Sequence, residues 1–397
     1  MNKDLKDDDD DDGLNFRKRM QSVKGLAFIG SADILGSGIS ALFWLTVATL
    51  VLVEEYGQIS YFISIASIGL CSLVGSPNAL MVFSTKYQKI IPTILFLTLI
   101  FTMIGSLIAF IIVQRFEIIF LMFSFIIFEA SITILLGKKL YTKYSTLFVA
   151  QKIIQFGLGI GLSFLLGVNG VIIGIILANF LLIIVFYKEL RLNKIDFSLL
   201  KIKKKFIISN NIVYMISVLR RDIDKIIVVP ILGFTVLGNF ALTLQFYTIL
   251  MVVSSITYKY LLPKDASGEK NTKLKKILIL FSIVIALCGF FFSPYVIENL
   301  FTKFSEAIVP IQIASLSVIP SSISRILFSK ILALEKSKFL IIANSVQLGV
   351  ILVGTIVLGI LYSIVGVTIA FILGNTMYAI TLTLINYNYV GKGKIDI

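Results

Sequence analysis

The chain has 397 residues, of which 57 % are hydrophobic and 15 % charged, with a mean hydropathy of +0.98. Soluble domains carry about a quarter charged residues, so a soluble fold is excluded. The apolar runs are long enough to cross a bilayer as helices, at roughly 20 residues each, and a polytopic all-α integral membrane protein is the class that fits. The formal net charge of +14 sits in short loops beside apolar runs, where membrane topology accounts for it; no basic stripe with interleaved aromatics points to nucleic acid. Histidine is absent, which removes His-based metal sites, Ser-His catalysis and the usual switch near neutral pH. Cys71 and Cys288 fall inside expected spans and read as small apolar core residues, with no disulfide framework.

Residues 1–24 form an acidic then basic tail. Asp7 through Asp12 is unbroken, and like charges at that density favour a solvated, disordered segment. Arg17, Lys18, Arg19 and Lys24 precede the first span, 25–51, which holds Asp33. Glu54-Glu55-Tyr56-Gly57 is expected as a tight turn into the second span, 58–82, where Pro77 predicts a kink. Further spans are expected at 90–113, 118–136 (with Glu129), 146–166 (with Lys152) and 170–187. Together 25–187 make an N-terminal bundle of six helices, followed by a basic linker at 188–205.

The seventh span, 206–232, contains Val218-Leu219-Arg220-Arg221-Asp222-Ile223-Asp224-Lys225-Ile226-Ile227, five charges inside an apolar run. Charges at that depth are costly unless they pair or face a protein-lined aqueous cavity. On a helix Arg220 and Asp224 are spaced i,i+4, while Arg221 and Asp224, and Asp222 and Lys225, are spaced i,i+3. Two readings stand: a self-neutralised helix end or short loop, and a cavity lining. Spans at 235–258, 277–301, 307–332 (with Arg325 and Lys330), 339–361 and 364–387 complete a C-terminal bundle at 206–390, before a short basic tail at 391–397. That makes about twelve helices. Lys and Arg concentrate in the N-terminal tail, after even-numbered spans and in the C-terminal tail, while the alternate connections hold only Arg115 and Lys303. This bias predicts that both termini are cytoplasmic.

The two halves echo each other. Gly57-Gln58 matches Gly238-Asn239, Gln155-Phe156-Gly157 matches Gln347-Leu348-Gly349, and Gly170-Val171 matches Gly366-Val367. Six spans per half give both repeats the same orientation. Two pseudo-symmetric bundles around a central cavity are therefore expected.

Glu54-Glu55-Tyr56-Gly57-Gln58-Ile59-Ser60 resembles the E-Y-G-x-Y/I-S turn of polysaccharide-biosynthesis flippases, the Wzx-type branch of the multidrug/oligosaccharidyl-lipid/polysaccharide exporter superfamily. Asp222 through Ile227, then Leu232-Gly233 and Val236-Leu237-Gly238-Asn239-Phe240-Ala241, is similar to that family's D-K-I-I-x-x-x-x-L-G-x-x-x-V-G-x-Y-A, with Phe240 where Tyr is usual. The resemblance implies a flippase of the cytoplasmic (plasma) membrane. It would move a polyprenyl phosphate- or pyrophosphate-linked oligosaccharide to the outer leaflet by alternating access, alongside the glycosyltransferases or polymerase of the same pathway. Carried over, Arg220, Arg221, Arg325, Lys152 and Lys330 are cavity cations for the lipid's phosphate. Asp33, Glu129, Asp222, Asp224 and Lys225 serve coupling to H+ or Na+ or form charge pairs. Snorkelling to the interface is the competing reading for Lys152 and Lys330, and a structural ion pair competes for each carboxylate: Asp224 with Arg220 or Arg221, Glu129 with Lys152. No metal or other cofactor is expected. The alternative function is an ion-coupled multidrug antiporter. A membrane glycosyltransferase or polymerase fits less well, because the outer connections are short and catalytic residues usually sit on sizeable loops.

Overall fold

A computed structural model describes the backbone of residues 7–266, 272–334 and 337–390, and the side chains of 28–258, 261, 272–332, 334 and 338–388. Among the described residues the chain is helical throughout, with no strand. The helices are α1 (Asp7–Leu50), α2 (Val53–Ile68), α3 (Ser76–Lys86), α4 (Ile91–Val113), α5 (Glu117–Gly137), α6 (Tyr141–Leu166), α7 (Val168–Phe180), α8 (Ile183–Leu190), α9 (Phe197–Leu250), α10 (Val252–Ala266), α11 (Thr272–Leu300), α12 (Ile308–Leu316), α13 (Val318–Ala333) and α14 (Ser337–Ile385). Among the described residues, eight helical segments are long and apolar enough to span a membrane, ten when the bent pairs α2/α3 and α7/α8 each count as one. The chain is a multi-pass membrane protein.

Two of these segments are not single helices. α9 breaks at Gly233, whose φ of 83° lies in the left-handed region that glycine tolerates, three residues after Pro230. α14 breaks at Ser363, with φ 52° and ψ −134°. Both breaks fall where the sequence placed a boundary between spans. A packed cluster of Val228, Leu237, Phe240, Ile364 and Val367 gathers around them.

Several local expectations need correction. Pro77 does not kink a continuous helix. The bend comes earlier, where Gly75 (φ 87°) and Ser76 (φ 67°) are both left-handed, and Pro77 sits in the first turn of α3, where its missing N–H and fixed φ are harmless. Glu54 through Gly57 is not a turn but the start of α2, with the Glu55 carboxylate accepting the Leu52 N–H at 2.8 Å. The Asp run opens α1, so its backbone is helical from Asp7 on. The basic linker is largely absorbed into α8 and α9, leaving 191–196 between them. Asp196 then caps α9: its carboxylate accepts the Ser198 N–H at 2.8 Å, and the bonds from Ser198 hold its carboxyl below the usual range. Residues 1–6, 267–271, 335–336 and the tail 391–397 lie outside the described residues.

The chain divides into two compact units. The first gathers the described chain up to Phe43 with Ser72–Leu165 and Ile172–Asn211. The second gathers Trp44–Cys71, Leu166–Val171 and the described chain from Ile212 onward. The sequence reading groups 44–71 with the N-terminal bundle; in the structure it packs with the C-terminal helices. The reason is close approach. A Cβ added at Gly57 would sit on the Phe234 carbonyl oxygen, and one added at Gly238 on the Val53 carbonyl oxygen. Small residues matter in this way because lipid offers helices no hydrophobic reason to associate, so intimate backbone packing must hold them.

The first unit has its own ties. At the end of α5, Lys138 donates to both oxygens of Glu189 on α8, at 2.6 and 2.7 Å, with only 15 % and 11 % of the two side chains exposed. Both cysteines are free thiols.

Candidate functional site

The second unit encloses a cavity of about 700 Å³ lined by Arg220, Arg221, Asp222, Asp224 and Lys225 of α9 and by Arg325 of α13. All five charges of the apolar run are helical, so the loop reading does not hold. Asp222 is the hub. It accepts from Ser67 Oγ of α2 at 2.6 Å, Arg221 Nε at 2.9 Å and Lys225 Nζ at 2.9 Å. Arg221 also donates to Ser67 Oγ at 2.7 Å, and Lys225 to the Arg221 carbonyl at 2.8 Å. A carboxylate with three donors on it offsets most of the cost of removing these groups from water.

The expected partner of Asp224 was Arg220 or Arg221, by helical spacing. Instead its nearest cation is Lys225, at 4.0 Å, and its Oδ1 accepts the Lys225 N–H at 2.8 Å. Of the spaced pairs considered, Asp222 with Lys225 is the one that forms at hydrogen-bond distance.

Arg220 and Arg325 are held differently. Arg220 donates from Nη1 to the neutral Gln347 Oε1 at 3.1 Å, and its guanidinium carbon lies 5.8 Å from the Tyr378 ring centroid. Its Nε is buried with no hydrogen-bond partner among the described residues. Arg325 donates to Ser255 Oγ at 2.5 Å. Among the described ion pairs, none involves either arginine. The cavity thus carries four cations against two carboxylates. Its two unpaired cations rest on neutral acceptors, an arrangement suited to an anionic guest that takes bidentate hydrogen bonds. The neutral lining includes Trp44, Tyr56, Tyr214 and Tyr247, surfaces on which sugar rings or apolar groups can rest.

The other residues singled out in the sequence lie elsewhere. Lys330 donates to Asn386 Oδ1 at 2.9 Å and does not line the cavity. Lys152 belongs to the first unit, 5.4 Å from the Phe128 ring centroid and 5.6 Å from that of Phe148. Asp33 accepts from Tyr144 OH at 2.8 Å, also in the first unit. Tyr144 interacts electrostatically with both Asp33 and Glu129, and Lys152 with Glu129. The structure therefore collects Asp33, Glu129 and Lys152 into one neighbourhood of their own. Among the described residues no group of His, Cys, Asp and Glu is placed to hold a metal ion.

Sequence reasoning missed the neutral residues around the cations: Ser67, Ser255, Ser317, Asn375 and Tyr247. Gln347 was noticed only as a repeat marker, and was paired one helical turn out of register. Its structural counterpart is Gln151, because Gln151, Gly170 and Asn179 keep a constant spacing to Gln347, Gly366 and Asn375.

No family model matches the sequence, and no curated protein does. Solved structures do match. A lipid II flippase, MurJ, in an inward closed conformation superposes with a TM-score of 0.71 at 16 % identity, over 89 % of this chain and 86 % of that one. An outward-facing multidrug resistance MATE transporter of the MOP superfamily gives 0.63 at 15 % identity, over 93 % and 96 %. A Vibrio cholerae MATE transporter gives 0.60 at 16 % identity, over 93 % and 97 %. The chain has the fold of these transporters.

Proposed function

We propose that the chain is a flippase that moves a polyprenyl phosphate- or pyrophosphate-linked oligosaccharide from the inner to the outer leaflet of the plasma membrane, for assembly of a surface polysaccharide. It works by alternating access, as a transporter and not an enzyme. It crosses the membrane twelve times, Gly233 and Ser363 each separating two spans, with both termini in the cytoplasm. Six spans precede the linker at 188–205 and six follow it, as two repeats of the sequence. The glycosyltransferases and polymerase of the same pathway supply and consume the substrate.

Arg220 and Arg325 carry this reading. Two cavity cations that rest on neutral oxygens cost free energy in a membrane-embedded site unless an anion completes them. A lipid-linked phosphate provides that anion, and the adjoining tyrosines and Trp44 provide faces for sugar rings. The MurJ neighbour, by its name a lipid II flippase, supports a lipid-linked substrate.

A second reading, an ion-coupled multidrug antiporter, draws on the first-unit neighbourhood of Asp33, Glu129 and Lys152 and on the MATE neighbours. There Asp33 and Glu129, with Asp224 in the second unit, are the carboxylates through which H+ or Na+ would couple. The cavity's excess of cations argues against a cationic drug as its guest. The leaflet distribution of lipid-linked oligosaccharide after depletion of the protein separates the two. Accumulation on the cytoplasmic face, reversed on re-expression, supports the flippase. An unchanged distribution with retention of small cationic drugs establishes the antiporter instead.

A further inference from the structure

Both units contain the same chain of neutral side chains. In the first, Gln151 Nε2 donates to Asn179 Oδ1 at 2.8 Å, and Asn179 Nδ2 donates to Ser124 Oγ at 3.2 Å. In the second, Gln347 Nε2 donates to Asn375 Oδ1 at 2.9 Å, and Asn375 Nδ2 donates to Ser317 Oγ at 2.9 Å. All six residues are buried. The two chains differ at their free end. Gln151 Nε2 also donates to Gln155 Oε1 at 3.0 Å and its Oε1 has no partner among the described residues, whereas Gln347 Oε1 accepts from Arg220.

That difference gives the second chain a direction. A carboxamide has one acceptor face and one donor face. The bond from its NH2 to Asn375 turns the Gln347 oxygen toward Arg220, and a guanidinium, which is all donors, is the group that oxygen suits. The reversed amide would set N–H against N–H. Arg220 is thereby held from one side by Nη1 and backed by the Tyr378 ring, while Gln347 and Asn375, like Arg220, line the cavity.

We propose that Gln347 is a positioning residue, itself oriented by Asn375 and Ser317, which aims the Arg220 guanidinium into the cavity as the binding group for the substrate's phosphate. This rests on the anion-cavity reading above. Because the holding group is neutral, Arg220 keeps its full charge for the guest. A carboxylate at position 347 would spend that charge on an internal ion pair, so the choice of amide over acid sets the specificity for anions.

The test uses the purified full chain in detergent and farnesyl pyrophosphate as the probe. The sole tryptophan, Trp44, lines the cavity and reports binding by its fluorescence. Gln347→Glu is expected to weaken binding about tenfold or more, because a carboxylate there competes with the phosphate for the guanidinium; Gln347→Leu is expected to weaken it by a smaller factor of about three, because an arginine that is no longer aimed still keeps its charge. In the Arg220→Ala background, Gln347→Glu should add nothing, since the two act through one group. Gln151→Leu, the matching change in the first unit, removes an equally buried amide and should leave the affinity unchanged. A merely structural role predicts that Gln151→Leu and Gln347→Leu behave alike, and that outcome overturns the proposal. So does wild-type affinity in Gln347→Glu when Arg220→Ala binds weakly. If Arg220→Ala itself binds as wild type, the anion-cavity reading falls and the positioning role falls with it. Should Gln347→Glu fold poorly, the comparison of Gln347→Leu with Gln151→Leu still decides.

Discussion

At the scale of single residues, the charges that line the cavity have unequal jobs. Asp222 consumes Arg221, Lys225 and the Ser67 hydroxyl, and the free energy of that cluster is structural. On the proposed reading, Arg220 and Arg325 are the cations left for the guest. Arg325→Ala, in protein that inserts normally, should therefore cut export of lipid-linked oligosaccharide at least about tenfold, since a charge-assisted bond to phosphate is lost; Arg325→Lys should recover only part, because a point charge cannot bind in the same forked way. Undiminished export by Arg325→Ala in a leaflet-accessibility assay would remove Arg325 from the site. Ser67→Ala acts on the other set. It takes one donor from a buried carboxylate and should cost about 1–3 kcal/mol, read as a lower unfolding temperature in detergent, while export by the folded fraction stays near wild type. Export lost without any loss of stability would show that the cluster takes part in transport. The sequence exposed the ionic residues because charges inside an apolar run are conspicuous. It hid Ser67, Ser317 and Asn375, because a polar residue of that size in an apolar run is unremarkable until its partner is known.

At the scale of elements, Gly57 and Gly238 are the tightest lesson. They were legible as a repeat match, yet nothing in the sequence said that the two matched glycines meet each other. Each faces a carbonyl of the opposite helix, Phe234 for Gly57 and Val53 for Gly238, so a methyl group at either must push α2 from the second part of α9. Backbone cannot rotate away as a side chain can, and overpacking of this kind costs typically about 1–3 kcal/mol. Gly57→Ala and Gly238→Ala should each lower the unfolding temperature and sharply reduce export, with no new charge or polarity introduced. Normal stability and transport in both would mean that the crossing is not used. The Lys138–Glu189 pair gives the counterpart in the first unit. With both side chains nearly buried, Glu189→Gln leaves an ammonium without its counter-ion and should cost about 3–5 kcal/mol, whereas replacing both by apolar residues of similar size should recover most of it. Calorimetry of the single and double variants decides between these outcomes. In the sequence Lys138 is one basic residue among several after an apolar run, and its partner is brought in only by the fold.

At the scale of the whole molecule, the proposed count and direction of the spans rest on the breaks at Gly233 and Ser363 and on where the positive charge lies. Among the described residues, eight apolar segments are long enough to span, or ten with the bent pairs. On the proposed topology, division of α9 and α14 at their non-helical residues supplies the two more that match the alternation of Lys and Arg. Hydropathy located these runs because apolar length is a property of sequence alone. It could not say that 44–71 would group with the C-terminal helices, which depends on two backbones meeting. The count has a direct consequence: with twelve spans and a cytoplasmic N-terminus, the connection between α4 and α5 is outside and the start of α9 is inside. In a Cys71→Ser, Cys288→Ser background, Phe116→Cys, whose native side chain is 68 % exposed, should react with a membrane-impermeant maleimide in intact cells. Lys201→Cys, on the exposed surface near the start of α9, should react only after the membrane is opened. An even number of spans between these positions would bring both labels to the same face. The number expected from 117 to 201 is three, α5, α6 and the bent pair α7/α8, so labelling of both in intact cells would overturn the topology and with it the direction of transport.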